Sequence, residues 1–355
     1  MHYSGYHKGT KGLSQQTMPR PVKPKKPDSI DAVAAAAGVS VMTVSRVMRG
    51  KANVAAKTRD RVMAAVEQLG YVHNRLASSL ASSTSAQIGV IIPSLRNIVF
   101  PEVLAGITDT LESTDYQAVI GVTDYDLDRE LRLVNSMLAW RPAGIIIANT
   151  THHDETRALL TRAQIPVVEI MEVAANPIDM NIGIDHYQVG QKMASCLLDK
   201  GYRRFAYLGS DHKTDHTAAK RYQGFVAGLS QGKGEMILSV TASEPSSISL
   251  GRENMTALLT RRKEFEAVYF SNDAVAAGAM MCCLEAKLDI PGDIGIAGFG
   301  GLEIARAMPI PIATIYSPRY EMGQYSAQLI MDRLSRKPIE SKKLAQFELM
   351  LGGSI

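Results

Sequence analysis

The N-terminal part of the fold is decided by residues 29–81, which read SIDAVAAAAGVSVMTVSRVMRGKANVAAKTRDRVMAAVEQLGYVHNRLASSLA. Apolar residues recur there with the i, i+3, i+4, i+7 spacing of amphipathic helices and predict three short helices. Ser29 and Ser40 are the predicted N-caps of the first two, because a hydroxyl accepts a bond from an unpaired backbone N–H. Gly38 and Gly70 are predicted to end the first and third helices in the left-handed conformation. Three short helices with a tight glycine turn between the first two are typical of a helix-turn-helix.

One apolar stripe on each helix is predicted to face the core of this module. The stripes are Ile30, Val33, Ala34 and Ala37; Val44, Val47 and Met48; and Val62, Ala65, Val66 and Leu69. Any cluster of three helices shows such stripes, so they predict a helical module without naming its partner.

The ordered run of AGVSVMTVSRV, AAKTRDRV, LGY and NRLASSLA is more specific. It resembles the DNA-binding headpiece of the lactose-repressor (LacI/GalR) family of bacterial transcription regulators. The resemblance implies that the second helix lies in the major groove of duplex DNA. The DNA-binding residues that it implies are Ser40, Val41, Met42, Thr43, Ser45, Arg46, Thr58, Asn74 and Leu80.

These residues have different implied roles. Arg46 can donate two hydrogen bonds to guanine, whereas Val41 and Met42 offer only apolar contact, which suits thymine methyl groups. The implied phosphate contacts, which position the protein without specifying a sequence, are Thr43, Ser45, Thr58 and Asn74.

The segment from Arg75 to Ala81 is predicted to be a conditional hinge helix. At about two turns it is too short to be stable alone, so it is expected to fold on DNA. In the family, two hinge helices pair in the minor groove and a leucine from each opens the central base step, which here is Leu80. The alternative is a plain linker. Two residues depart from the family pattern: His73 replaces a usual proline, and Ala55 replaces a usual serine or threonine.

The distribution of charge agrees with a nucleic-acid partner. The net charge of the chain is +4, but residues 1–83 hold 13 Lys/Arg and 4 Asp/Glu, a net of +9, and the remainder holds 26 and 31, a net of −5. A basic head on an acidic body is typical of a nucleic-acid binder. Residues 1–27 are predicted to be a disordered basic tail. Their PRPVKPKKP run is either an arm on DNA or a solvated tail.

Composition also excludes several classes of protein. Cys196, Cys282 and Cys283 have no metal or disulfide spacing, which fits a reducing cytoplasm. No apolar run reaches the ~18 residues of a membrane span, and the N-terminus lacks the apolar region of a signal peptide. A cytoplasmic protein without membrane contact is therefore expected.

From Gln87 onward, short apolar runs such as IGVIIP, AGIIIAN and AVYFSN alternate with helical patterns. This alternation predicts parallel sheets joined by crossover helices. A run of strands near 88–184 and another near 203–299 predict two similar α/β lobes. The fold class is thus an all-α helix-turn-helix headpiece followed by a two-lobed α/β core.

This core resembles the periplasmic-binding-protein-like core of the same family, and the whole resemblance covers about residues 29–355. It implies three crossings between the lobes, with a helix near 318–336 returning to lobe one and a last strand near 344–352 returning to lobe two. The predicted domains are a tail at 1–27, a helix-turn-helix at 28–74, a hinge and linker at 75–86, and a core at 87–355. Within the core, lobe one is about 87–186 and 318–342, and lobe two is about 187–317 and 343–355.

Ligands of such folds bind at the carboxyl ends of strands, in the cleft between the lobes. Arg221, in KRYQGF, matches the effector-binding arginine of the family, and a guanidinium fork can bind a carboxylate with two hydrogen bonds. Asp273, in SNDAVAAGA, matches a family aspartate that binds polar groups; its alternative role is a helix N-cap. The predicted effector-binding residues are Leu95, Asn97, Phe100, Asn149, Glu169, Arg221, Asn272 and Asp273. Thr151 and Met171 also follow strands, whereas His152 and His153 are predicted to be loop histidines and not metal ligands.

The chemistry of the effector is suggested by Gly300, in GFGG, which stands where many sugar-binding members have an aspartate. The PVVEIME, THH and GGSI segments resemble the gluconate-operon repressor branch. The hypothesis is a sugar acid, gluconate or a ketogluconate, whose carboxylate binds Arg221.

The predicted function is a dimeric repressor that a small effector releases from a pseudo-palindromic operator. The alternative is co-repression, in which the effector strengthens DNA binding. A dimer is expected over a tetramer because no heptad tail follows the last strand. Met280, Met281 and Leu284 belong either to the dimer face or to the core. A periplasmic solute-binding protein would lack the helix-turn-helix, and the glycines of GIAGFGG lack the nucleotide-binding fingerprint, so neither an enzyme nor a cofactor is expected.

Overall fold

A computed structural model of the chain describes residues 29–48, 54–71, 85–212 and 215–355. They belong to two units that divide between Ser78 and Ser79. The predicted tail at 1–27, the hinge helix, Asn74 and Leu80 lie outside the described residues. Each unit is described by itself below.

The N-terminal unit contains the three predicted helices, namely α1 (Ile30–Ala37), α2 (Val41–Met48) and α3 (Ala56–Leu69). Ser29 caps α1 by accepting a hydrogen bond from the Ala32 N–H at 3.3 Å. Gly38 and Gly70 end α1 and α3 with positive φ of 62° and 60°, a conformation that glycine adopts without a steric cost. The predicted boundaries and caps are therefore confirmed.

The core of this unit consists of the predicted apolar stripes. Its fully buried members are Val33, Ala34, Ala37, Val44, Val47, Val62 and Ala65. As Ala55 suggested, α3 begins without a side-chain cap. The α1–α2 pair bends by 102°, which is within the range of a helix-turn-helix.

None of the helices in the described ranges is by itself long and apolar enough to cross a membrane. The α1–α2 pair reaches the required length and composition only when both helices are taken together across their bend.

Lobe one of the C-terminal unit is a parallel sheet of six strands in the order β11-β5-β4-β3-β1-β2. The strands are β1 (Gln87–Ile92), β2 (Gln117–Val122), β3 (Gly144–Ala148), β4 (Val167–Glu172), β5 (Met180–Ile184) and β11 (Lys342–Leu344). Its helices are α4 (Val99–Leu111), α5 (Leu127–Ala139), α6 (Asp154–Arg162) and α12 (Arg319–Leu334). Continuous burial of β3, β4 and β5 is typical of a parallel sheet covered on both faces.

Lobe two is a parallel sheet of four strands in the order β7-β6-β8-β9. The strands are β6 (Arg204–Ser210), β7 (Glu235–Ala242), β8 (Ala267–Phe270) and β9 (Gly295–Ala297). Its helices are α7 (His186–Asp199), α8 (His216–Gln231), α9 (Ile248–Leu259), α10 (Asp273–Glu285) and α11 (Glu303–Ala307). Strands β10 (Thr314–Tyr316) and β12 (Glu348–Met350) form an antiparallel pair beside it. All three cysteines are buried and free.

The crossings between the lobes follow the predicted order. Helix α12 packs so closely on α4 that a Cβ on Gly106 would lie 2.1 Å from the Tyr320 carbonyl oxygen. Strand β11 then pairs with β5, so lobe one extends through Leu344, slightly beyond the expected end near 342. The chain finally returns to lobe two, where the Ser354 hydroxyl donates to the Ile296 carbonyl at 2.6 Å.

The carboxyl ends of β3 and β4 have unusual backbone conformations. Asn149 and Met171 have positive φ of 81° and 79°, which side-chain-bearing residues rarely adopt and which cluster at functional sites. Gly183 of β5 gives this bend room, because a Cβ there would lie 2.1 Å from the Glu172 carbonyl carbon. The absence of a side chain at Gly183 therefore lets the last residues of β4 adopt this conformation while they remain paired with β5.

A buried charge cluster lies inside lobe one. The His152 ring approaches Glu130 Oε1 with Nδ1 at 2.8 Å and Glu169 Oε1 with Nε2 at 3.6 Å. Burial opposes the charged ring, but the hydrogen bonds and charges of the two carboxylates raise the pKa of His152 to about 9. His152 thus lies on a loop, as expected, but its ring is buried and protonated instead of exposed. Glu169 also accepts the Ile178 N–H at 2.5 Å, so both of its oxygens face the protein.

The raised pKa of His152 makes a prediction for stability. Because the folded-state pKa of about 9 exceeds the unfolded value of roughly 6.5, the stabilisation is fully present below pH ~6.5 and is lost as the pH rises through about 9. The difference between the two pKa values corresponds to a contribution on the order of 3 kcal/mol to the free energy of unfolding. We expect urea unfolding to show this loss between about pH 6.5 and 9.5.

Two variants separate this effect from other titrations. His152→Gln should be less stable near neutral pH, with a shallower decline toward alkaline pH. His153→Gln, which alters an exposed neighbour paired with Asp128, should decline like the wild type. Parallel declines in all three proteins would contradict a charged His152.

Candidate ligand cleft and candidate DNA-binding surface

The exposed face of α2 brings the three predicted base-contacting residues together. The side chains of Val41 and Met42 are 39% and 63% exposed, and Arg46 is exposed with its Nη2 3.7 Å from the Met42 sulfur. This face thus presents one guanidinium beside two apolar groups, which is the chemistry of a guanine contact next to a thymine methyl contact.

The polar residues around this face are only partly buried. Ser40 caps α2, since its hydroxyl accepts the Thr43 N–H at 3.2 Å and lies 3.0 Å from the Thr43 hydroxyl. Ser45 and Thr58 are half-buried. Their hydroxyls are of the kind that contacts phosphate.

A cleft of about 810 Å³, its open mouth included, lies at the carboxyl ends of strands from both lobes. Five of the eight predicted effector residues line it, and these are Asn97, Phe100, Asn149, Arg221 and Asn272. Thr151 and Met171 line it too. The cleft therefore lies at the edge that the rule for ligands of parallel sheets predicts, the carboxyl edge, in both lobes.

Three predicted effector residues do not line the cleft, which corrects the expectation that all eight would. Leu95 is 57% exposed. Glu169 belongs to the buried His152 cluster because it lies three residues before the end of β4. Asp273 is fully buried below the cleft, where it accepts hydrogen bonds from the Leu302 N–H at 2.7 Å and the Thr314 hydroxyl at 2.6 Å.

The carboxyl of Asp273 is therefore bonded to the protein. Burial raises its pKa to about 6, although the hydrogen bonds from Thr314 and Leu302 act in the opposite direction. Asn272, and not Asp273, is the N-cap of α10, because its side chain accepts the Val275 N–H at 3.1 Å. Asp273 ties the loop after β9 to β10, which is a structural role.

Arg221 is the central charged group of the cleft. Its side chain is buried, with the residue only 5% exposed. Nη2 donates to the Ser271 carbonyl at 3.0 Å, Nη1 lies 3.0 Å from His186 Nδ1, and the guanidinium carbon lies 3.9 Å from the centre of the Phe299 ring. Its Nε–H has no hydrogen-bond partner among the described residues.

No ion pair within the described ranges includes Arg221. A buried cation without an anionic partner is costly, and an anion in the cleft would remove that cost. This arrangement fits a ligand carboxylate.

Two other cations, Arg319 in the cleft wall and Lys220 beside Arg221 in sequence, have partners in the protein. Arg319, at the start of α12, donates to both oxygens of Glu102 at 3.1 and 3.0 Å and also to the Gly300 carbonyl. Lys220 of α8 donates to Glu172 at the end of β4. Sequence reasoning missed both cations and their carboxylate partners, and it missed His186. Glu172 and His186 could have been found, because each lies at the carboxyl end of a strand.

The mouth of the cleft is formed in part by Tyr125, a residue with a left-handed backbone at φ 63°. The Asn97 amide donates to its hydroxyl at 3.0 Å. Burial, followed by the nearby charge of Asp215, raises the pKa of Tyr125 to about 12, so the phenol is neutral near pH 7 and can donate or accept a hydrogen bond.

The described part of the chain holds no group of three or more His, Cys, Asp or Glu side chains that could bind a metal ion. The cleft presents hydroxyl, amide and guanidinium groups and the carboxylates of Glu172 and Asp215 around an aromatic wall.

Comparison with known proteins places both units in one family. Residues 29–74 match the family described as bacterial regulatory proteins, lacI family. Residues 85–346 match the family described as periplasmic binding proteins and sugar binding domain of LacI family. The second match alone covers more than half of the chain.

Individual relatives agree with these matches. The chain is 33% identical to the HTH-type transcriptional regulator GntR of Escherichia coli K12 over 315 residues, which is 88% of this chain and 94% of that protein. Its structure is similar to that of a LacI family transcriptional regulator from Silicibacter pomeroyi, with a TM-score of 0.87, 42% identity and coverage of 92% and 99% of the two chains.

A third similar structure is the Lac repressor dimer bound to operator and the anti-inducer ONPF. It matches with a TM-score of 0.81 and 25% identity, over 93% of this chain and 99% of that one. Relatives and fold alike are those of transcriptional regulators and not of enzymes. The chain belongs to the LacI family of DNA-binding transcriptional regulators and contains the sugar-binding domain of that family.

Proposed function

We propose that this regulator is a cytoplasmic homodimeric repressor whose two headpieces bind the half-sites of a pseudo-palindromic operator. The proposed base contacts are Val41, Met42 and Arg46, and the proposed phosphate contacts are Thr43, Ser45 and Thr58, with Asn74. The exposure of the α2 face supports this assignment. Similarity to a repressor whose structure is a dimer on operator supports the partner and the assembly.

The proposed dimer face includes helix α10. Met280 is fully buried in the core, so it cannot contribute to such a face. Met281 and Leu284 are half-buried on the same helix and can contribute to this face.

We further propose that the effector is a sugar acid such as gluconate. The single observation that supports this most is Arg221, a buried guanidinium without a carboxylate partner in the described ranges. Its Nε–H is buried and unbonded. A ligand carboxylate would supply both the missing charge and the missing acceptor. The sequence features of the gluconate-operon branch and the similarity to GntR support the same choice.

Neutral and polar groups surround this anchor at hydrogen-bonding positions. Asn97, Asn149, Thr151 and Asn272 line the cleft with amides and a hydroxyl, which suit the hydroxyl groups of a polyhydroxy acid. Effector binding is proposed to favour one relative arrangement of the lobes, and DNA affinity then falls because the effector binds the two states unequally.

Arg46 provides a test of DNA recognition. Arg46→Ala should weaken binding to the preferred duplex by about 1–3 kcal/mol and abolish the preference for one guanine in each half-site. The preferred duplex is obtained by selection from random sequences with the wild-type protein, and affinity is measured by fluorescence anisotropy at fixed salt.

A matched control removes one exposed arginine elsewhere, Arg162→Ala on α6, and should leave affinity and preference unchanged. If Arg46→Ala kept the guanine preference, α2 would not contact the base edges as proposed.

Arg221 provides the test of the effector class. Isothermal titration of the wild type with D-gluconate should show saturable binding. Arg221→Lys should weaken it by roughly 10- to 100-fold, because lysine keeps the charge but loses the two-pronged contact. Arg162→Ala serves again as control, and thermal melting checks that each variant is folded.

Wild-type affinity for gluconate that Arg221→Lys leaves unchanged would contradict the proposed carboxylate contact. No heat with gluconate and with 2-ketogluconate at millimolar concentration would contradict the sugar-acid proposal and leave the DNA-binding assignment intact.

The sign of regulation is tested by adding D-gluconate to the protein on its selected duplex. Release of the duplex, seen as a fall in anisotropy, is expected of a repressor that its effector inactivates. Tighter binding would show that the effector is a co-repressor. Because the two binding equilibria are linked, DNA should change the affinity for gluconate by the same factor by which gluconate changes the affinity for DNA.

A further inference from the structure

The cleft contains a second buried donor beside Arg221. His186 is the first residue of α7 and lines the cleft with its ring only slightly exposed, at 4% for the residue. Its Nε2 is buried and has no hydrogen-bond partner among the described residues. Like the Arg221 Nε–H, it is a buried polar atom of a cleft-lining residue that the described protein leaves unbonded.

The tautomer of His186 follows from its neighbour. A guanidinium has only donors, so Nδ1 of His186, 3.0 Å from Arg221 Nη1, must be the acceptor of that hydrogen bond. A neutral imidazole that accepts at Nδ1 has its proton on Nε2. Burial and the charge of Arg221 hold the pKa of His186 well below its usual range, against the opposing effect of the Met171 carbonyl. The ring is therefore neutral, with Nε2–H as a fixed donor.

Phe299 holds the two side chains in place. The Arg221 guanidinium lies over its face at 3.9 Å, and the His186 ring meets it edge-on, with centroids 5.8 Å apart. An aromatic wall of this kind excludes water and restricts both residues to one orientation. Arg221 and His186 thus form a preorganised pair of donors, one charged and one neutral, a few ångströms apart.

We infer that His186 is a specificity-determining residue whose Nε2–H donates to the oxygen on C2 of the effector, next to the carboxylate bound by Arg221. This inference rests on the proposed sugar-acid function. The C2 oxygen is the ligand atom next to the carboxylate, and Nε2 is the unbonded nitrogen of the imidazole ring whose Nδ1 contacts the guanidinium. Because Nε2–H only donates, a 2-hydroxyl and a 2-keto oxygen both satisfy it, whereas a 2-deoxy acid leaves a buried donor unbonded.

The test is a cycle of ligands and variants measured by isothermal titration. The ligands are D-gluconate, 2-keto-D-gluconate and 2-deoxy-D-gluconate. The wild type should bind the first two at least about 10-fold more tightly than the third, because the 2-deoxy acid leaves a buried donor unbonded. The proteins are the wild type, His186→Asn and His186→Ala, with thermal melting as the check on folding.

His186→Asn is the decisive variant. Its side-chain oxygen can replace Nδ1 as the acceptor for Arg221, but the shorter side chain ends before the position of Nε2. It should bind D-gluconate about 10-fold less tightly than the wild type, leave 2-deoxy-D-gluconate affinity unchanged and so lose the preference between them. His186→Ala should lose the same preference and also weaken all three ligands, because Arg221 loses its neighbour.

The outcomes separate this inference from the proposed function. If the wild type bound gluconate and 2-deoxygluconate equally, or if His186→Asn weakened both by the same factor, His186 would position Arg221 only and the inference would be overturned. If the wild type bound none of the three acids, the sugar-acid function itself would be overturned, and the inference with it.

Discussion

The cleft depends on one electrostatic constraint, a guanidinium that is buried without an opposing carboxylate in the described structure. Arg221 is surrounded by a carbonyl oxygen, an imidazole nitrogen and an aromatic face. Each of these offers only partial negative charge, so together they orient the cation without neutralising it. An anionic ligand gains more from this arrangement than a neutral one does, because its full negative charge compensates for the hydration that Arg221 loses on burial. Because the described protein provides no carboxylate for Arg221, the cleft can select anionic ligands over neutral ones.

The same cleft is bordered by cations that the protein does neutralise. Arg319 pairs with Glu102 inside lobe one, whereas its bond to the Gly300 carbonyl and the Lys220–Glu172 pair each join elements of different lobes. These links give the lobes a defined arrangement before any ligand binds. A ligand can shift that arrangement only by the difference in its affinity for the two states. Polar contacts on both lobes, Asn149 on one side and Asn272 on the other, are therefore as important as the anchor itself.

Sequence patterns were sufficient for the helices, the strands and the edge of the sheets where the cleft lies, because these depend on local periodicity and on chain direction. They were insufficient to predict in which direction the acidic side chains point. Glu169 and Asp273 both lie near strand ends, yet one turns into the His152 cluster and the other below the cleft, since the direction of a side chain depends on partners far away in sequence. Glu130 is 22 residues from His152, and Thr314 is 41 residues from Asp273. Met171 departs from regular strand geometry, which no periodicity predicts. His186 was overlooked although it follows β5 as directly as Asn272 follows β8.

Gly300 shows how one departure from the family pattern is coupled to the rest of the cleft. Its φ of 124° is a conformation that a residue with a side chain rarely adopts, and a Cβ there would lie 3.6 Å from Asp273 Oδ2. An aspartate at this position would therefore add strain and bring a second negative charge toward a carboxyl whose pKa burial already raises. Instead, the Gly300 carbonyl accepts a hydrogen bond from Arg319. Without that additional carboxylate, nothing at position 300 repels an anion bound at Arg221, so the glycine and the unpaired arginine favour the same class of ligand for independent reasons.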